Sequence, residues 1–201
     1  DIFSRHDYDI GTCTLGAHTI DTGEAKPIRQ AVRTHPYVHE AAIEKILTEM
    51  REHGIIAPST SPWRSNIVVV IKKDMTLRLC IDYRNLNQVT RKDAYPLPKI
   101  NVCLESMGGS QWFSTFDCLS GYFNIPMDPV DADKTSFVVK NSTWKFLRLP
   151  FGLCNAPSTF QRIMDAIFAG YNMDICLCYL DDIIVYSVDL SSHLDRLGIV
   201  W

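Results

Sequence analysis

I-C-L-C-Y-L-D-D-I-I-V-Y-S, residues Ile175 to Ser187, sets two apolar, β-rich runs on either side of two adjacent aspartates, Asp181 and Asp182. Apolar runs of this length, bounded by turn formers, predict buried strands. The Asp-Asp pair between them predicts the turn of a hairpin. Such turns favour Asn-Gly or Asp-Gly, and two like charges at a tight turn repel, so something is expected to compensate for them. An isolated Asp-Asp is most often a solvated turn. The alternative is a divalent-cation site at the tip of a rigid hairpin, and it requires a third acid on a neighbouring strand.

Gln111 to Asp117, Q-W-F-S-T-F-D, offers that acid at the end of a predicted strand, with the turn Leu119-Ser120-Gly121-Tyr122 behind it. A helix is predicted over 157–170, after the turn Pro150-Phe151-Gly152. Ser158 and Gln161 fit a capping box, and Phe160, Ile163, Met164, Ile167 and Phe168 form the apolar stripe. Strand 112–117, helix 157–170, strand 175–180 and strand 183–187 predict a sheet backed by a helix, with Asp117, Asp181 and Asp182 meeting at one edge. Three carboxylates so placed cannot all stay ionised without cations. All-oxygen ligation suits Mg²⁺ or Mn²⁺ and leaves positions for water and phosphate. Two such ions clamp the attacking and leaving oxygens of an in-line phosphoryl displacement.

The remainder of the chain reads in order. Residues 1–36 predict an extended arm with a short strand near Ala17 to Ile20. Asp21-Thr22-Gly23 is also the active-site triplet of aspartic proteases, but turn-like Glu-Ala-Lys-Pro follows it, and a turn is the favoured reading. Ile43, Ile46, Leu47 and Met50 space a helix from Val38 to His53, stopped by Gly54. After the loop Ser59 to Pro62, strands are predicted at Asn66–Lys72 and Leu77–Asp82, joined by a turn around Asp74 to Thr76, with Lys72, Lys73, Arg78 and Arg84 on or near them. Pro96 and Pro98 open a helix with Ile100, Cys103, Leu104 and Met107 on one face, closed by Gly108-Gly109. Asp128-Pro129 predicts a short helix, and Ser136–Lys140 with Trp144–Leu149 a hairpin around Asn141-Ser142-Thr143. A helical pattern begins at Leu190 and is expected to break at Gly198-Ile-Val-Trp201.

A chain of 201 residues holds one good core, or one domain plus an arm. Its 46% hydrophobic and 21% charged residues describe an ordinary soluble globular protein. No apolar run is long enough for a membrane span, and the first residues carry no signal-peptide core, so neither is expected. The cysteines make no C-x-x-C pair; Cys80, Cys118, Cys176 and Cys178 read as small core residues of a reducing compartment, not as zinc ligands. The net charge of −3 argues against whole-surface nucleic-acid binding. It hides eight Lys/Arg against three Asp between Pro62 and Lys99. That stretch is a solvated face unless it meets the acidic site, where Lys and Arg can hold a triphosphate.

Seven stretches then follow one another: I-D-T-G-E-A-K-P-I-R-Q (20–30), G-I-I-A-P-S-T-S-P-W (54–63), L-C-I-D-Y-R-N-L-N (79–87), D-A-Y-P-L-P-K-I (93–100), F-S-T-F-D-C-L-S-G-Y-F-N-I (113–125), L-P-F-G-L-C-N-A-P-S-T-F-Q-R (149–162) and Y-L-D-D-I-I-V-Y-S (179–187). In this order and spacing they closely resemble the reverse transcriptase segment of gypsy-type (Metaviridae) long-terminal-repeat retrotransposon Pol polyproteins, and more distantly the retroviral enzymes. The resemblance runs from about residue 6 to residue 195.

The resemblance implies an α+β fold made of polymerase fingers and a partial palm, a ferredoxin-like split βαβ sheet backed by helices, truncated at its C-terminus. Residues 1–36 would be the arm, 37–110 the fingers with palm-linking segments, and 111–201 the palm, interrupted by a finger insertion at about 128–149. Thumb and ribonuclease H would be absent. The palm would lack its second helix and leave one face of its sheet uncovered. The implied activity is RNA-directed DNA polymerisation, two-metal nucleotidyl transfer from a deoxynucleoside triphosphate to a primer 3′-hydroxyl. A truncated remnant that binds nucleic acid or a partner subunit is the alternative.

Asp117, Asp181 and Asp182 would be the catalytic carboxylates, holding two Mg²⁺ (or Mn²⁺) ions with the backbone of Cys118. Lys73 and Arg78 would contact the triphosphate; Cys118, Leu119, Ser120 and Gly121 would offer it backbone amides. Tyr122 would be the steric gate against a ribose 2′-hydroxyl, with Phe151 and Gly152 bordering the sugar and base. Pro62, Trp63, Arg84, Pro157 and Gln161 would lie near the template, and Tyr179 and Leu180 near the primer terminus. Tyr122 as a packed aromatic and Lys73 as a solvated turn lysine are the plain alternatives. Implied partners are an RNA/DNA template-primer, the deoxynucleotides and the remainder of a Pol polyprotein (thumb, ribonuclease H, integrase), without a membrane. The implied location is intracellular, cytoplasmic within a virus-like particle or nuclear. Met75-Thr76-Leu77 replaces the family's usual Gly-Ser-Trp, Leu119 a polar or basic residue, and Asn124 a common Gln.

Overall fold

The computed structural model describes residues 4–6, 8–33, 37–71, 75 and 77–201. In chain order its elements are α1 (Glu40–Glu52), β1 (Ile56–Pro58), β2 (Ser65–Ile71), β3 (Leu77–Ile81), α2 (Arg84–Val89), α3 (Ile100–Ser106), β4 (Trp112–Asp117), β5 (Phe137–Val139), β6 (Ser142–Phe146), α4 (Ala156–Ile167), β7 (Cys176–Tyr179), β8 (Asp182–Ser187) and α5 (Leu190–Val200). They fall into two units that the chain enters more than once: 11–92 with 122–156, and 1–10 with 93–121 and 157–201. The second excursion, 122–156, is wider than the insertion expected at 128–149.

In the unit of 11–92 and 122–156, five strands form one sheet in the order β1-β6-β5-β2-β3. Only the β2–β5 pair is parallel. Helix α1 buries Ile43, Leu47 and Met50, the positions its apolar spacing selects. Gly54, at φ +66, ends it: the Gly54 N–H donates to Arg51 O and the Ile55 N–H to Met50 O, which satisfies two terminal carbonyls. The arm makes no strand at 17–20; His18 forms one isolated bridge with Met127. Asp21-Thr22-Gly23 is a turn, closed by the Gly23 N–H on the Asp21 carboxylate, and that carboxylate pairs with Arg91 at 3.1 Å. The backbone bond from Gly23, with Arg91 beside it, holds the Asp21 carboxyl below its usual 3.8. A proton-sharing protease dyad needs a second carboxylate against the first, and Asp21 pairs with Arg91 instead. The β5–β6 turn is tighter than expected: Lys140 takes φ +51 and Ser142-Thr143 already belong to β6. Helix α2, not expected from the sequence, seats Leu86 in the core. The short helix expected at Asp128-Pro129 is a turn there, and a 3₁₀ turn follows at Ala132–Thr135.

The other unit carries a three-stranded antiparallel sheet, β4-β8-β7. The strand–helix–strand–strand order expected from the sequence is present, and the fold is α+β. On one face Leu177 and Tyr186 pack with Cys103 of α3, joined by Met107 and Ile184. Ile100 and Leu104, expected on that buried face, are 61% and 60% exposed. The opposite face, bearing Ser114, Phe116, Val185 and Ser187, receives α5. His193 is the docking group, bonded to Ser114 Oγ at 2.8 Å and Ser187 Oγ at 3.1 Å, and Trp201 meets Phe116 edge-on at 5.5 Å. This corrects one expectation: the helix does not break at Gly198 but runs to Val200. Trp112 and Phe113 of the sheet remain 43% and 52% exposed. The Asp189 side chain starts α5 by accepting from the Ser192 N–H. Among the described residues, no helix is long and apolar enough to cross a membrane.

Candidate active site

Register decides where the acids meet. β4 and β8 pair so that Asp117 stands directly opposite Asp182, with Phe116 opposite Ile183. Directly opposed residues share a sheet face. The two carboxylates therefore leave the same face at one end of the sheet. β7 and β8 pair with Tyr179 opposite Asp182, so the hairpin loop is Leu180-Asp181 and not the Asp-Asp pair expected from the sequence. Asp182 is already the first residue of β8. Leu180 takes φ +54, left-handed backbone usually left to glycine or asparagine, and so turns the chain without either.

Asp181 is held from several sides within this unit. The Cys118 N–H, just past β4, donates to the Asp181 carbonyl at 3.2 Å. Behind it the chain turns at Ser120, φ +47, and the Gly121 N–H closes on Cys118 O at 3.1 Å. Gly121 is needed for close approach: a Cβ there would lie 3.0 Å from Asp181 Oδ1 and 3.0 Å from ring carbons of Phe160. The Cys118 and Gly121 amides are thus bonded within the turn and hairpin themselves.

Helix α4 holds the hairpin's outer edge. Gln161, fully buried, donates from Nε2 to Cys178 O at 3.2 Å and accepts the Leu180 N–H on Oε1 at 2.9 Å. It makes no capping box with Ser158; its partners lie across the fold. Asp165, one turn along α4, accepts from Gln161 Nε2 at 3.0 Å, Asn172 Nδ2 at 3.0 Å and Tyr95 Oη at 2.6 Å. Asn172 Oδ1 accepts the Cys178 N–H at 3.0 Å. Sequence reasoning missed Asp165, Asn172 and Tyr95. The available signals were the i, i+4 spacing of Gln161 and Asp165 and the rigid D-A-Y-P-L-P stretch.

The electrostatics fit a bound cation. Asp181 Oδ1 is buried without a hydrogen-bond partner. Burial, then the charges of Asp117 and Asp182, raises the Asp181 carboxyl above its usual 3.8. The same three acids, after burial, push the Cys118 thiol up to about 11, so it stays protonated at neutral pH. An orphaned buried oxygen amid like charges is the environment a divalent ion relieves. Among the described residues no group of three His, Cys, Asp or Glu side chains is placed to hold a metal ion.

The other predicted residues distribute as follows. Tyr179 and Leu180 are half-buried in the hairpin, and Pro157 is half-buried in α4. In the other unit Tyr122 is buried and stacks on Phe151, centroids 4.9 Å apart, while Phe151 is 47% exposed. Gly152, at φ +94, accepts from Asn87 Nδ2. Arg78 is exposed on β3. Arg84 forks onto the buried Asp82 carboxylate at 2.8 and 2.7 Å. Pro62 is exposed, but Trp63 is a core residue. Lys73, with Lys72, lies outside the described residues, as do Asp74 and Thr76 of the turn expected there.

A family model described as reverse transcriptase (RNA-dependent DNA polymerase) matches residues 70–200. The retrovirus-related Pol polyprotein from transposon opus of Drosophila melanogaster is 40% identical over 186 residues, 90% of this chain and 18% of that protein. The one from transposon gypsy of the same organism is 37% identical over 190 residues, again 90% of this chain and 18% of the relative. An RNA-directed DNA polymerase homolog of Oenothera berteroana is 35% identical over 130 residues, 63% of this chain and 92% of the relative. The chain thus spans 18% of the length of these Drosophila polyproteins. Among solved structures, the foamy viral protease-reverse transcriptase in complex with RNA/DNA hybrid superposes with a TM-score of 0.86 at 23% identity, over 96% of this chain and 26% of that one. That likeness shows the fold.

Proposed function

The chain belongs to the reverse transcriptase family, and from that premise we propose that it is the polymerising segment of a retrotransposon Pol polyprotein, an RNA-directed DNA polymerase. The unit with the three-stranded sheet acts as the palm and the five-stranded unit as the fingers. The observation that carries the reading is Asp181 Oδ1, a buried oxygen without a hydrogen-bond partner at the hairpin loop beside the Asp117–Asp182 rung. Asp117, Asp181 and Asp182, with the Cys118 carbonyl, hold two Mg²⁺ or Mn²⁺ ions. Bound there, such ions stabilise the attacking and leaving oxygens of a phosphoryl displacement.

The substrate is a deoxynucleoside triphosphate paired to an RNA or DNA template. The primer 3′-hydroxyl oxygen bonds to the α-phosphorus as the bond to pyrophosphate breaks. Arg78 and Lys73 bind the triphosphate through their positive charge, and Leu119 and Ser120 border it. Tyr122, braced by its stack on Phe151, excludes a 2′-hydroxyl, and Gly152 lets backbone approach the sugar. Tyr179 and Leu180 meet the primer end, and Pro62, Arg84 and Pro157 flank the template. Gln161 reaches no template from its buried place and acts on the hairpin instead. Template-primer, deoxynucleotides and the rest of Pol are the proposed partners, within a cytoplasmic particle or the nucleus.

Primer extension in Mg²⁺ on RNA and DNA templates tests this reading, with Asp181→Asn as the control. Extension by the wild type and its loss in the variant are expected. Extension that survives in Asp181→Asn overturns the site. No extension by either, with template-primer still bound, makes the chain a nucleic-acid binder without catalysis.

A further inference from the structure

We infer that Asp165 is a positioning residue, which fixes the hairpin carrying Asp181 by orienting two side-chain amides, Gln161 and Asn172, along the outer edge of β7. The inference rests on the polymerase reading only for its kinetic consequence; its structural part stands alone.

β7 is an edge strand of the sheet β4-β8-β7. The two-residue loop makes Tyr179–Asp182 the closing pair, so the N–H and C=O of Cys178 point away from β8. Edge groups of this kind need partners when water is excluded. Here no strand supplies them. Gln161 takes Cys178 O and the Leu180 N–H, and Asn172 takes the Cys178 N–H. The two amides replace a neighbouring strand.

An amide side chain has a donor end and an acceptor end, and flipping it sets donor against donor. Asp165 settles both orientations. Its carboxylate accepts only, and it receives the NH₂ groups of Gln161 and Asn172. Each amide oxygen is thereby turned towards the backbone N–H it must accept. Tyr95 adds a third bond to Asp165, at 2.6 Å, from a strap that is itself fixed: Arg162 lies over the Tyr95 ring at 4.7 Å and bonds Asp93. Pro96 and Pro98 stiffen the same strap.

The consequence reaches the acids through one residue. Leu180 is left-handed, a conformation that persists only where the surroundings over-determine it. Its N–H is held by the oriented Gln161 oxygen. If the amide turns, Leu180 relaxes and the Asp181 carboxylate leaves its place beside Gly121.

The test compares Asp165→Leu with Asp165→Asn, reading amide hydrogen exchange and steady-state primer extension in the full chain. The leucine side chain fills the volume and accepts nothing. Exchange at the Cys178 and Leu180 amides is expected to rise, and kcat to fall by roughly ten- to hundredfold, with KM for template-primer nearly unchanged. The asparagine side chain still accepts both amides on its one oxygen, while the Tyr95 hydroxyl rotates to accept from the new NH₂. Rescue of exchange and kcat towards wild type is expected. Equal damage in both variants, or wild-type exchange at Cys178 and Leu180 in a folded Asp165→Leu, overturns the inference. Should Asp165→Leu not fold, Asn172→Ala decides: faster exchange at Cys178 but not at Leu180 supports it, and no change at Cys178 overturns it. If the wild type extends no primer, the polymerase reading fails while exchange still settles the positioning role. If Asp181→Asn abolishes extension but Asp165→Leu keeps full kcat, the polymerase reading stands and this inference falls.

Discussion

Asp181→Asn should stabilise the protein while destroying its proposed chemistry, and the size of the gain follows from the surroundings of one oxygen. Oδ1 is buried and accepts nothing. A buried acceptor left unsatisfied costs roughly 1–3 kcal/mol. Repulsion from Asp117 and Asp182 adds to this, but both are exposed and screened, so each contributes well below about 1 kcal/mol. Replacement by a neutral amide, whose NH₂ can donate to the facing carboxylates, should recover about 2 kcal/mol at neutral pH without divalent ions. For a chain of this length that is a rise of about 4–8 °C in melting temperature. The pH dependence has a definite sign. The folded carboxyl titrates above 3.8, so the penalty is absent below that pH and grows as pH rises through the folded value. The two melting curves should therefore coincide in acid and separate towards neutrality. Mg²⁺ should close the gap from the other side: at ten times its dissociation constant it adds about 1.4 kcal/mol to the wild type. It should add much less to the variant. Thermal unfolding followed by circular dichroism, in chelator and in Mg²⁺, below pH 3.8 and near neutrality, measures all of this. A variant that melts at or below the wild type near neutrality in chelator refutes the reasoning, because the carboxylate would then be satisfied without a cation.

Gly121→Ala forces a Cβ to within 3.0 Å of both Asp181 Oδ1 and the Phe160 ring. Overpacking of this kind costs about 1–3 kcal/mol. Melting temperature and primer extension should fall together, and wild-type values of both would show that the approach is not close. Tyr122→Val removes the ring stacked on Phe151. Its relative use of ribonucleotides over deoxynucleotides should rise by roughly ten- to two-hundredfold; an unchanged ratio in single-nucleotide incorporation removes Tyr122 from the sugar site. Asp189→Ala deletes the cap of α5 and should lower the melting temperature. Bonding from the Ser192 backbone holds Asp189 below 3.8, so the cap is fully effective above that pH and is lost as pH falls through the lowered value. The gap between wild type and variant should close in acid, and a pH-independent gap argues against the cap.

The parts legible in the sequence were those set by period and by local turn chemistry. The α1 stripe Ile43, Leu47 and Met50 was readable because burial follows a 3.6-residue repeat. The β4, β7 and β8 strands were readable as short apolar runs. Three misreadings share another cause: a local pattern was answered by a partner far along the chain or by an unusual backbone state. Ser158 and Gln161 look like a cap, but Gln161 spends its amide on Cys178 and Leu180. Gly198 looks like a stop, but it lies on an open side of α5, where a Cβ would meet nothing within 4 Å. The Asp-Asp pair looks like a turn, but the loop sits one residue earlier because Leu180 accepts left-handed backbone. Helix α2 escaped because Arg-Asn-Leu-Asn-Gln-Val has little intrinsic preference; Leu86 in the core and the Asp82–Arg84 fork stabilise it.

Three acids that repel one another stay together only if the backbone leaves them no alternative. Each residue of Leu180-Asp181-Asp182 is tied to a different element. Helix α4 holds the Leu180 N–H through Gln161, the turn after β4 holds the Asp181 carbonyl through Cys118, and β4 holds Asp182 in register with Asp117. The two non-glycine residues left-handed at the site are Ser120, three residues after Asp117, and Leu180, immediately before Asp181. Each such residue costs about 1–3 kcal/mol, which persists only where packing over-determines it. Strain and charge repulsion therefore fall on the same few residues, and both would relax by the same movement, Asp181 swinging away from Gly121. The ties oppose that movement before any ion arrives. An ion bound as proposed would meet side chains already held in place, and its binding energy would go into relieving repulsion rather than into ordering a loop.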